Sequence, residues 1–272
     1  MSISCRPFFL KGPSGYLFVM HFLPQGDSRN EVVIHVPPLA EEMNKSRHMV
    51  AKQARMLCGL GYDVLVVDLF GTGDSEGGFE EATWDRWLDD LEFVYRWTEE
   101  QQFEAINWWS LRMGSLLISD LVRLRQLNAS RIVCWQPVIN GRNLLGQFLR
   151  LRIAAYLESS DKNQSVKDYM TAFEKGSGIE VAGYQVSPGL ALPLANAKFE
   201  DVSKNCKKLA WFQLTTLPGK SIGPSDQIIL DQLSDNGLEV VSGMIQGAPF
   251  WFTQELSLSH QLLDTTSKYF TH

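Results

Sequence analysis

The residues best placed to do chemistry lie in a turn between an apolar strand and an apolar helix. The segment Ala105–Leu117, A-I-N-W-W-S-L-R-M-G-S-L-L, predicts a short strand, a tight turn and the start of a helix. Such a turn lifts one side chain over the sheet edge, and backbone N–H groups gather beneath it. Ser110 and Gly114 are small where the turn is crowded, two positions before and two after its centre. The residue at the tip is therefore Arg112.

Arg112 restricts the reactions that this turn can perform. A guanidinium with a pKa above about 12 acts neither as a nucleophile nor as a base. We therefore expect its role to be electrostatic. Because the dipole of a helix disfavours a cation at its N-terminus, an anion should compensate Arg112. That anion is either a salt-bridged carboxylate (Glu41, Glu42 or Glu255) or a carboxylate, phosphate or sulfate ligand.

A second polar group lies in the sequence E-E-M-N-K, directly after two prolines and an apolar strand. Glu41 and Glu42 are adjacent carboxylates, and Asn44 and Lys45 follow them. Together with Arg112 they could hold a polar ligand, or one carboxylate could act as a general base on water if burial raises its pKa. A solvated charged loop is the alternative interpretation.

Apolar runs and amphipathic segments alternate along the chain and must position these residues. After a predicted hairpin (Arg6–Leu10 and Gly15–Leu23), strands are predicted at Glu31–Val36, Tyr62–Val67, Ala105–Trp109, Arg131–Gln136, Leu209–Leu214 and Leu238–Met244, with helices at Asn44–Leu60, Thr83–Glu99, Gly114–Leu127, Pro224–Ser234 and Ser257–Phe270. This alternation predicts an α/β fold with a mostly parallel sheet and helices on both faces. The loops that carry the two polar groups should meet at the carboxyl edge of the sheet.

The segment from Asn140 to about Asp201 interrupts the alternation of strands and helices. It contains an amphipathic helix, a polar stretch at Glu158–Lys167 and a second helix near Val166–Phe173. We predict a cap over residues 140–201, inserted between two parts of a core formed by residues 1–139 and 202–272. Such a cap would shape a substrate pocket.

Composition limits the classes of function. The 272 residues carry a net charge of −6, with 44% hydrophobic and 21% charged residues, so no basic surface for nucleic acid is expected. The four cysteines show no metal or redox spacing, and no run approaches the ~20 apolar residues of a membrane span. We predict a soluble cytoplasmic protein without metal or cofactor. Its expected partner is a small-molecule substrate or an anionic ligand. The sequence leaves open whether the chain forms a homodimer.

Several motifs resemble a known superfamily over nearly the whole chain. The segment Gly61–Gly77, G-Y-D-V-L-V-V-D-L-F-G-T-G-D-S-E-G, is similar to the strand and loop that precede the nucleophile turn of α/β-hydrolases. More narrowly, Pro37–Arg47, the S-L-R-M-G turn, Trp135–Gly141, Glu180–Tyr184 and Gly247–Trp251 resemble the exosortase A system-associated hydrolase 2 family. That family is named for its fold and is found beside bacterial exosortase (PEP-CTERM) and exopolysaccharide genes.

The superfamily resemblance implies a Ser-His-acid triad, and this sequence departs from it. The nucleophile position holds Arg112, the loop after the last strand (G-A-P-F-W-F-T-Q-E) has no His, and the loop after the preceding strand (T-T-L-P-G-K) has no carboxylate. Ser110 and Ser115 are expected to pack rather than react. His35 and His260 fit a strand end and a surface helix better than a catalytic base. A conventional serine esterase is therefore not expected.

Two functions follow from these observations. The first is a hydrolase of ester or thioester bonds, linked to bacterial exosortase or exopolysaccharide systems, that works without a serine triad. The second is a non-catalytic module that binds an anionic ligand or a protein partner. The residues expected at the site are Arg112, Glu41, Glu42 and Glu255 for catalysis, and Lys45, Asn44, Leu39, Met113 and Trp251 for substrate binding.

Overall fold

One large sheet carries most of the chain. The computed structural model describes residues 4–156, 164–253 and 255–271. Its strands are β1 (Cys5–Lys11), β2 (Tyr16–Phe22), β3 (Glu31–Val36), β4 (Asp63–Val67), β5 (Ala105–Leu111), β6 (Ala129–Trp135), β7 (Ile179–Val181), β8 (Tyr184–Val186), β9 (Cys206–Thr215) and β10 (Glu239–Gln246). Strands β7 and β8 form a separate antiparallel hairpin, and the other eight form the sheet in the order β1-β2-β4-β3-β5-β6-β9-β10.

The sheet is parallel from β4 to β10 and antiparallel at the end formed by β1 and β2. Strand β3, E-V-V-I-H-V, is buried from Val32 onwards on both faces, as its uninterrupted apolar run predicts. The predicted mostly parallel sheet is therefore confirmed. The predicted hairpin at the start of the chain is confirmed as well.

Helices cover both faces of the sheet. They are α1 (Glu41–Gly59), α2 (Trp84–Glu100), α3 (Gly114–Leu124), α4 (Gly141–Tyr156), α5 (Val166–Glu174), α6 (Pro188–Asn196), α7 (Pro224–Asp235) and α8 (His260–Phe270), with a short 3-10 turn at Phe79–Glu81. Helices α1 and α8 pack together on one face, and α2 and α3 pack together on the other. None of the described helices combines the length and apolar character needed to cross a membrane.

The segment between β6 and β9 holds helices α4, α5 and α6 and the β7–β8 hairpin. Helix α6 packs against α4, α5 and α2, and an antiparallel bridge joins Asn140 to Lys198 at the base of the segment. The sequence pattern did not predict α6, which contains Pro193. Ser187 caps its first turn by accepting a hydrogen bond from the Leu190 N–H. Most of the polar stretch Glu158–Lys167 lies outside the described residues.

Crowding fixes the connection between β5 and α3. A Cβ atom built on Gly114 would lie 2.5 Å from the carbonyl oxygen of Val36 in β3. This contact is with backbone, which cannot move aside as a flexible side chain can. The turn therefore needs a glycine two residues after Arg112.

We expect Gly114→Ala to lower the free energy of unfolding by about 1–3 kcal/mol, because the added methyl group must displace β3 or α3. Urea denaturation followed by circular dichroism measures the change. Gly59→Ala is the matched control, since nothing lies within 4 Å of a Cβ at that helical position. That variant should be neutral or more stable by up to about 1 kcal/mol. Equal stabilities of the two variants would contradict the role of Gly114.

Candidate active site

The bend between β5 and α3 places Arg112 at its tip in a left-handed conformation, with φ of 53°. For a residue with a Cβ this conformation costs about 1–2 kcal/mol, so the surrounding structure must hold it. The Arg112 N–H donates to the carbonyl oxygen of Trp135 at 3.0 Å. The Ser115 Oγ lies 2.8 Å from the Arg112 carbonyl oxygen and accepts a hydrogen bond from the Val138 N–H at 3.0 Å. Ser115 is thus a packing residue, as predicted.

The anion that compensates Arg112 is Glu42, one of the three predicted carboxylates. The Arg112 Nη2 lies 3.1 Å from Glu42 Oε1, and its Nε lies 3.2 and 3.4 Å from the two carboxylate oxygens. The two side chains are only 15% and 19% exposed. The guanidinium also lies 5.7 Å from the ring centre of Trp251, and Nη2 donates to Gln147 Oε1 at 3.3 Å. The Nε and Nη2 atoms of Arg112 therefore contact other residues of the rim.

Burial raises the pKa of Glu42 above its ordinary value of 4.5, and the charge and hydrogen bond of Arg112 oppose that shift. Glu42 lies in the first turn of α1, where the helix dipole favours the ionised carboxylate. Its environment therefore combines one effect that favours the protonated carboxyl with three that favour the ionised form. A carboxylate tuned in this way suits proton transfer near neutral pH better than an exposed one.

A cavity of about 320 Å³ opens beside this ion pair. Helix α1 and the loop before it supply one wall, helix α4 supplies the opposite wall, and the segment after β10 closes the side. The lining residues are Leu39, Glu41, Glu42, Lys45, Arg112, Leu144, Gln147, Phe148, Leu151, Ala182, Trp251 and Phe252. Six of the nine predicted site residues are among them. The cavity is thus mainly apolar, with its charges at one end.

Two backbone N–H groups belong to the loop and the bend that flank the charged end of the cavity. Leu39 belongs to the loop between β3 and α1, and Met113 follows Arg112 in the bend. Within the described chain, neither N–H donates a hydrogen bond to another residue. Ala40, next to Leu39, has a positive φ of 51°, so this loop carries backbone strain like the bend. Paired N–H groups of this kind can bind a developing oxyanion.

The β7–β8 hairpin is tied to α1 through Glu41 and Asn44. The Tyr184 hydroxyl donates to Glu41 Oε2 at 3.1 Å, and Asn44 Nδ2 donates to the Tyr184 oxygen at 3.0 Å. Burial and the neighbouring Glu41 raise the pKa of Tyr184 to about 12, so the hydroxyl stays protonated. Asn44, predicted to bind substrate, does not line the cavity and instead holds the hairpin.

Other predicted site residues have different positions. The Lys45 ammonium lies 3.4 Å from the Phe252 carbonyl oxygen and faces the cavity. The Met113 side chain is 1% exposed and packs in the core, so only its backbone is available. Glu255 is exposed and is not among the lining residues. The structure therefore gives no support to a second carboxylate approaching Arg112 from that side.

The described serine hydroxyls form no hydrogen bond with a histidine side chain. The two ring nitrogens of His48 face the carbonyl oxygens of Lys45 and Ser257. His260 begins α8 and is exposed, and His35 lies in a strand. Asp226 accepts a hydrogen bond from Gln213 in the first turn of α7, as expected of a helix-start carboxylate.

Two residues near the site, Gln147 and Tyr184, were not predicted from the sequence. Gln147 contacts Arg112 directly, and Tyr184 positions Glu41. The sequence does indicate an apolar face on α4, because Leu144, Phe148 and Leu151 recur at helical spacing. Nothing in that pattern shows which face of α4 meets the bend, so the pairing of Gln147 with Arg112 could not be predicted.

Neither protein-family models nor curated protein sequences show a match to the chain. The fold of the chain does match solved structures. Est1E from Butyrivibrio proteoclasticus, with ferulic acid bound, superposes with a TM-score of 0.65 at 14% identity, over 97% of this chain and 98% of Est1E. A serine hydrolase without a lid from Xanthomonas campestris gives a TM-score of 0.57 at 15% identity, over 100% and 94% of the two chains.

The chain has the α/β-hydrolase fold. An esterase from Pyrobaculum calidifontis agrees, with a TM-score of 0.59 at 14% identity over 97% of this chain and 84% of the esterase. At such identities the likeness concerns the fold alone. The residue at the tip of the turn after β5 is Arg112.

We expect Arg112→Met to lower the free energy of unfolding by about 3 kcal/mol, and Glu42→Gln to lower it by less, because burial already disfavours the ionised Glu42 carboxylate. The value for Arg112→Met is the low end for a buried pair, because the remaining partner loses its compensation but keeps some solvent. The double variant should lose less than the sum. Thermal and urea unfolding of the four proteins measure the coupling. Arg96→Met, which breaks an exposed pair with Glu99, is the control and should change stability by at most about 1 kcal/mol.

Proposed function

We propose that this α/β-hydrolase-fold protein hydrolyses ester or thioester bonds of a small-molecule substrate, with Glu42 as the general base. The observation that carries the proposal is that the Glu42 carboxylate, held by Arg112, lines the same cavity as Leu39, whose backbone N–H donates no hydrogen bond within the described chain. A base, a fixed cation and an oxyanion site are the components that acyl transfer to water requires. No nucleophile of the chain is needed.

The reaction would proceed in two steps. Water attacks the carbonyl carbon while one of its protons passes to Glu42, and the carbonyl electrons move to the oxygen, which the N–H groups of Leu39 and Met113 stabilise. The tetrahedral intermediate then collapses, the bond to the alkoxide or thiolate breaks, and the leaving group takes the proton from Glu42. Arg112 keeps Glu42 in place throughout, and Lys45 adds positive charge at the same end of the cavity.

The apolar lining of the cavity is the reason for proposing an acyl or aryl group as the non-reacting part of the substrate. Leu144, Phe148 and Leu151 of α4 face Leu39 and Trp251 across the cavity. Such walls bind hydrophobic surface and hold the carbonyl group at the polar end. The chemical class that fits is therefore a carboxylic ester or thioester with an apolar acyl chain.

A non-catalytic binding module is the second candidate, because Arg112 contacts both oxygens of Glu42. In that case an anionic ligand would displace Glu42 from the guanidinium, and burial would let the freed Glu42 take up a proton. The two candidates differ in turnover, since a binding module leaves esters intact.

We also propose that the chain serves a bacterial exosortase or exopolysaccharide system. The support is the resemblance of the bend, the Pro37–Arg47 loop and the Gly247–Trp251 segment to the exosortase-associated family. Deleting the gene should reduce exopolysaccharide export or the processing of sorted proteins. Complementation with Glu42→Gln, in place of the natural chain, would show whether the same carboxylate serves both proposals.

The catalytic proposal predicts that the natural chain hydrolyses p-nitrophenyl butyrate and that Glu42→Gln lowers kcat/KM by about 10²–10⁴-fold, the contribution of a general base. Release of p-nitrophenol measures the rate. Glu255→Gln is the matched control and should keep full activity, because Glu255 is exposed and lies outside the cavity lining. Activity that survives Glu42→Gln and Glu255→Gln together would exclude the carboxylate mechanism.

The pH dependence provides an independent test. A general base acts when ionised, so kcat/KM should rise with pH through an apparent pKa above 4.5, the ordinary value for glutamate. The contribution of Glu42 to the free energy of unfolding should decrease over the same pH range. A raised pKa in the folded state means that the contribution of Glu42 to stability falls as pH rises from about 4.5 to the folded pKa. Both trends should disappear in Glu42→Gln, and a rate that is flat across this range would contradict the proposal.

A further inference from the structure

A second cavity, of about 240 Å³, lies between α1 and the end of the sheet that contains β2 and β4. Phe18, Met20 and Phe22 of β2 form one wall, and Met43 and Val50 of α1 form the opposite wall. It shares none of its lining residues with the cavity beside Arg112. Helix α1 separates the two, so this second cavity is a space that the proposed hydrolysis does not use.

His35 is the polar group that this cavity buries without a partner. It is 2% exposed, it lines the cavity, and its Nδ1 forms no hydrogen bond with the described residues. Burial lowers the pKa of His35 to about 3, so the ring is neutral. His35 also contacts Trp109, whose ring centre lies 4.3 Å away and whose backbone hydrogen bond with the imidazole opposes the lowering of the pKa. An unsatisfied buried nitrogen costs about 1–3 kcal/mol, which a ligand could recover.

The charged groups nearest His35 are paired with each other. Arg47 Nη2 lies 3.2 and 3.0 Å from the two oxygens of Asp68. Ser46 donates its hydroxyl to the Met43 carbonyl oxygen at 3.1 Å. Arg55 also lines the cavity, but it is exposed and lies over the ring of Phe22 at 5.6 Å, so solvent screens its charge. A ligand group placed at His35 therefore meets no unpaired buried charge, which disfavours a carboxylate or an ammonium group.

Size and lining restrict the ligand further. Apolar cavities of about 150 Å³ take up benzene rather than water, so a cavity of 240 Å³ has room for one ring with a short substituent. A neutral imidazole offers one donor and one acceptor nitrogen, and which is which depends on the tautomer. A hydroxyl both donates and accepts, so it can pair with either nitrogen.

We propose that this cavity binds a neutral phenol or alcohol of about one ring in size, with its hydroxyl group hydrogen-bonded to His35. The apolar body lies between β2 and α1, and Arg47 and Asp68 remain paired beside it. This site is independent of the hydrolytic proposal, since neither Glu42 nor Arg112 takes part.

The test compares 4-ethylphenol with ethylbenzene, which has the same body and lacks the hydroxyl. Titrations of the natural chain, followed through the side-chain ¹⁵N signals of His35, should show that 4-ethylphenol binds about fivefold more tightly, the effect of one net hydrogen bond. In His35→Leu, titrated through the indole ¹⁵N signal of Trp109, which contacts residue 35, the two probes should bind equally. Equal binding of the probes to the natural chain, or no binding of either, would refute the proposal.

Two further variants locate the binding without touching His35. Ala51→Phe adds a ring at a half-buried position of the wall and should abolish binding of 4-ethylphenol. Gln147→Leu alters the cavity beside Arg112 and should leave binding unchanged. The reverse result would assign the phenol to the other cavity. Tighter binding of 4-ethylbenzoate than of 4-ethylphenol would contradict the inference that the site at His35 prefers a neutral ligand group.

Discussion

The left-handed backbone of Arg112 is the constraint on which the site depends. This conformation reverses the chain between β5 and α3 so sharply that the Gly114 backbone lies against the Val36 carbonyl group. The reversal brings the Arg112 side chain to the cavity, where the loop before α1 places Leu39. Because Ala40 is also left-handed, two strained segments from neighbouring strands meet there. Strain that the fold retains at one rim is typical of a functional site.

The ion pair with Glu42 follows from this constraint. A guanidinium at the N-terminus of α3 is opposed by the helix dipole, whereas a carboxylate in the first turn of α1 is favoured by it. Placing the two side chains against each other therefore offsets the unfavourable charge with a favourable one. Helix α4 contributes to the same arrangement, since its Gln147 accepts a hydrogen bond from Arg112. One helix thus both lines the cavity and contacts the ion pair.

The apolar runs and turn motifs of the sequence were enough to predict the fold and the bend that carries Arg112. The uninterrupted apolar run of β3 and the S-L-R-M-G turn predicted a buried strand and a bend, and the structure has both. Helix dipole reasoning predicted a carboxylate partner for Arg112 but left three candidates, because choosing Glu42 requires the side-chain direction on α1. The contact of Tyr184 with Glu41 joins residues 143 positions apart, and sequence periodicity has no information on such contacts. Helix α6 was missed because Pro193 argues against a helix interior.

A mechanism without a nucleophile of the chain limits which substrates the proposed hydrolase can serve. A general base contributes about 10²–10⁴-fold, and an oxyanion donor contributes about 10²–10³-fold. Without a covalent intermediate, these effects must account for most of the rate, and they fall short of what many enzymes achieve on unreactive bonds. The bond cleaved must therefore be reactive already, because its leaving group is stable as an anion. Thioesters and aryl esters meet this condition, whereas amides do not, and the apolar wall of α4 supplies binding for their acyl chains.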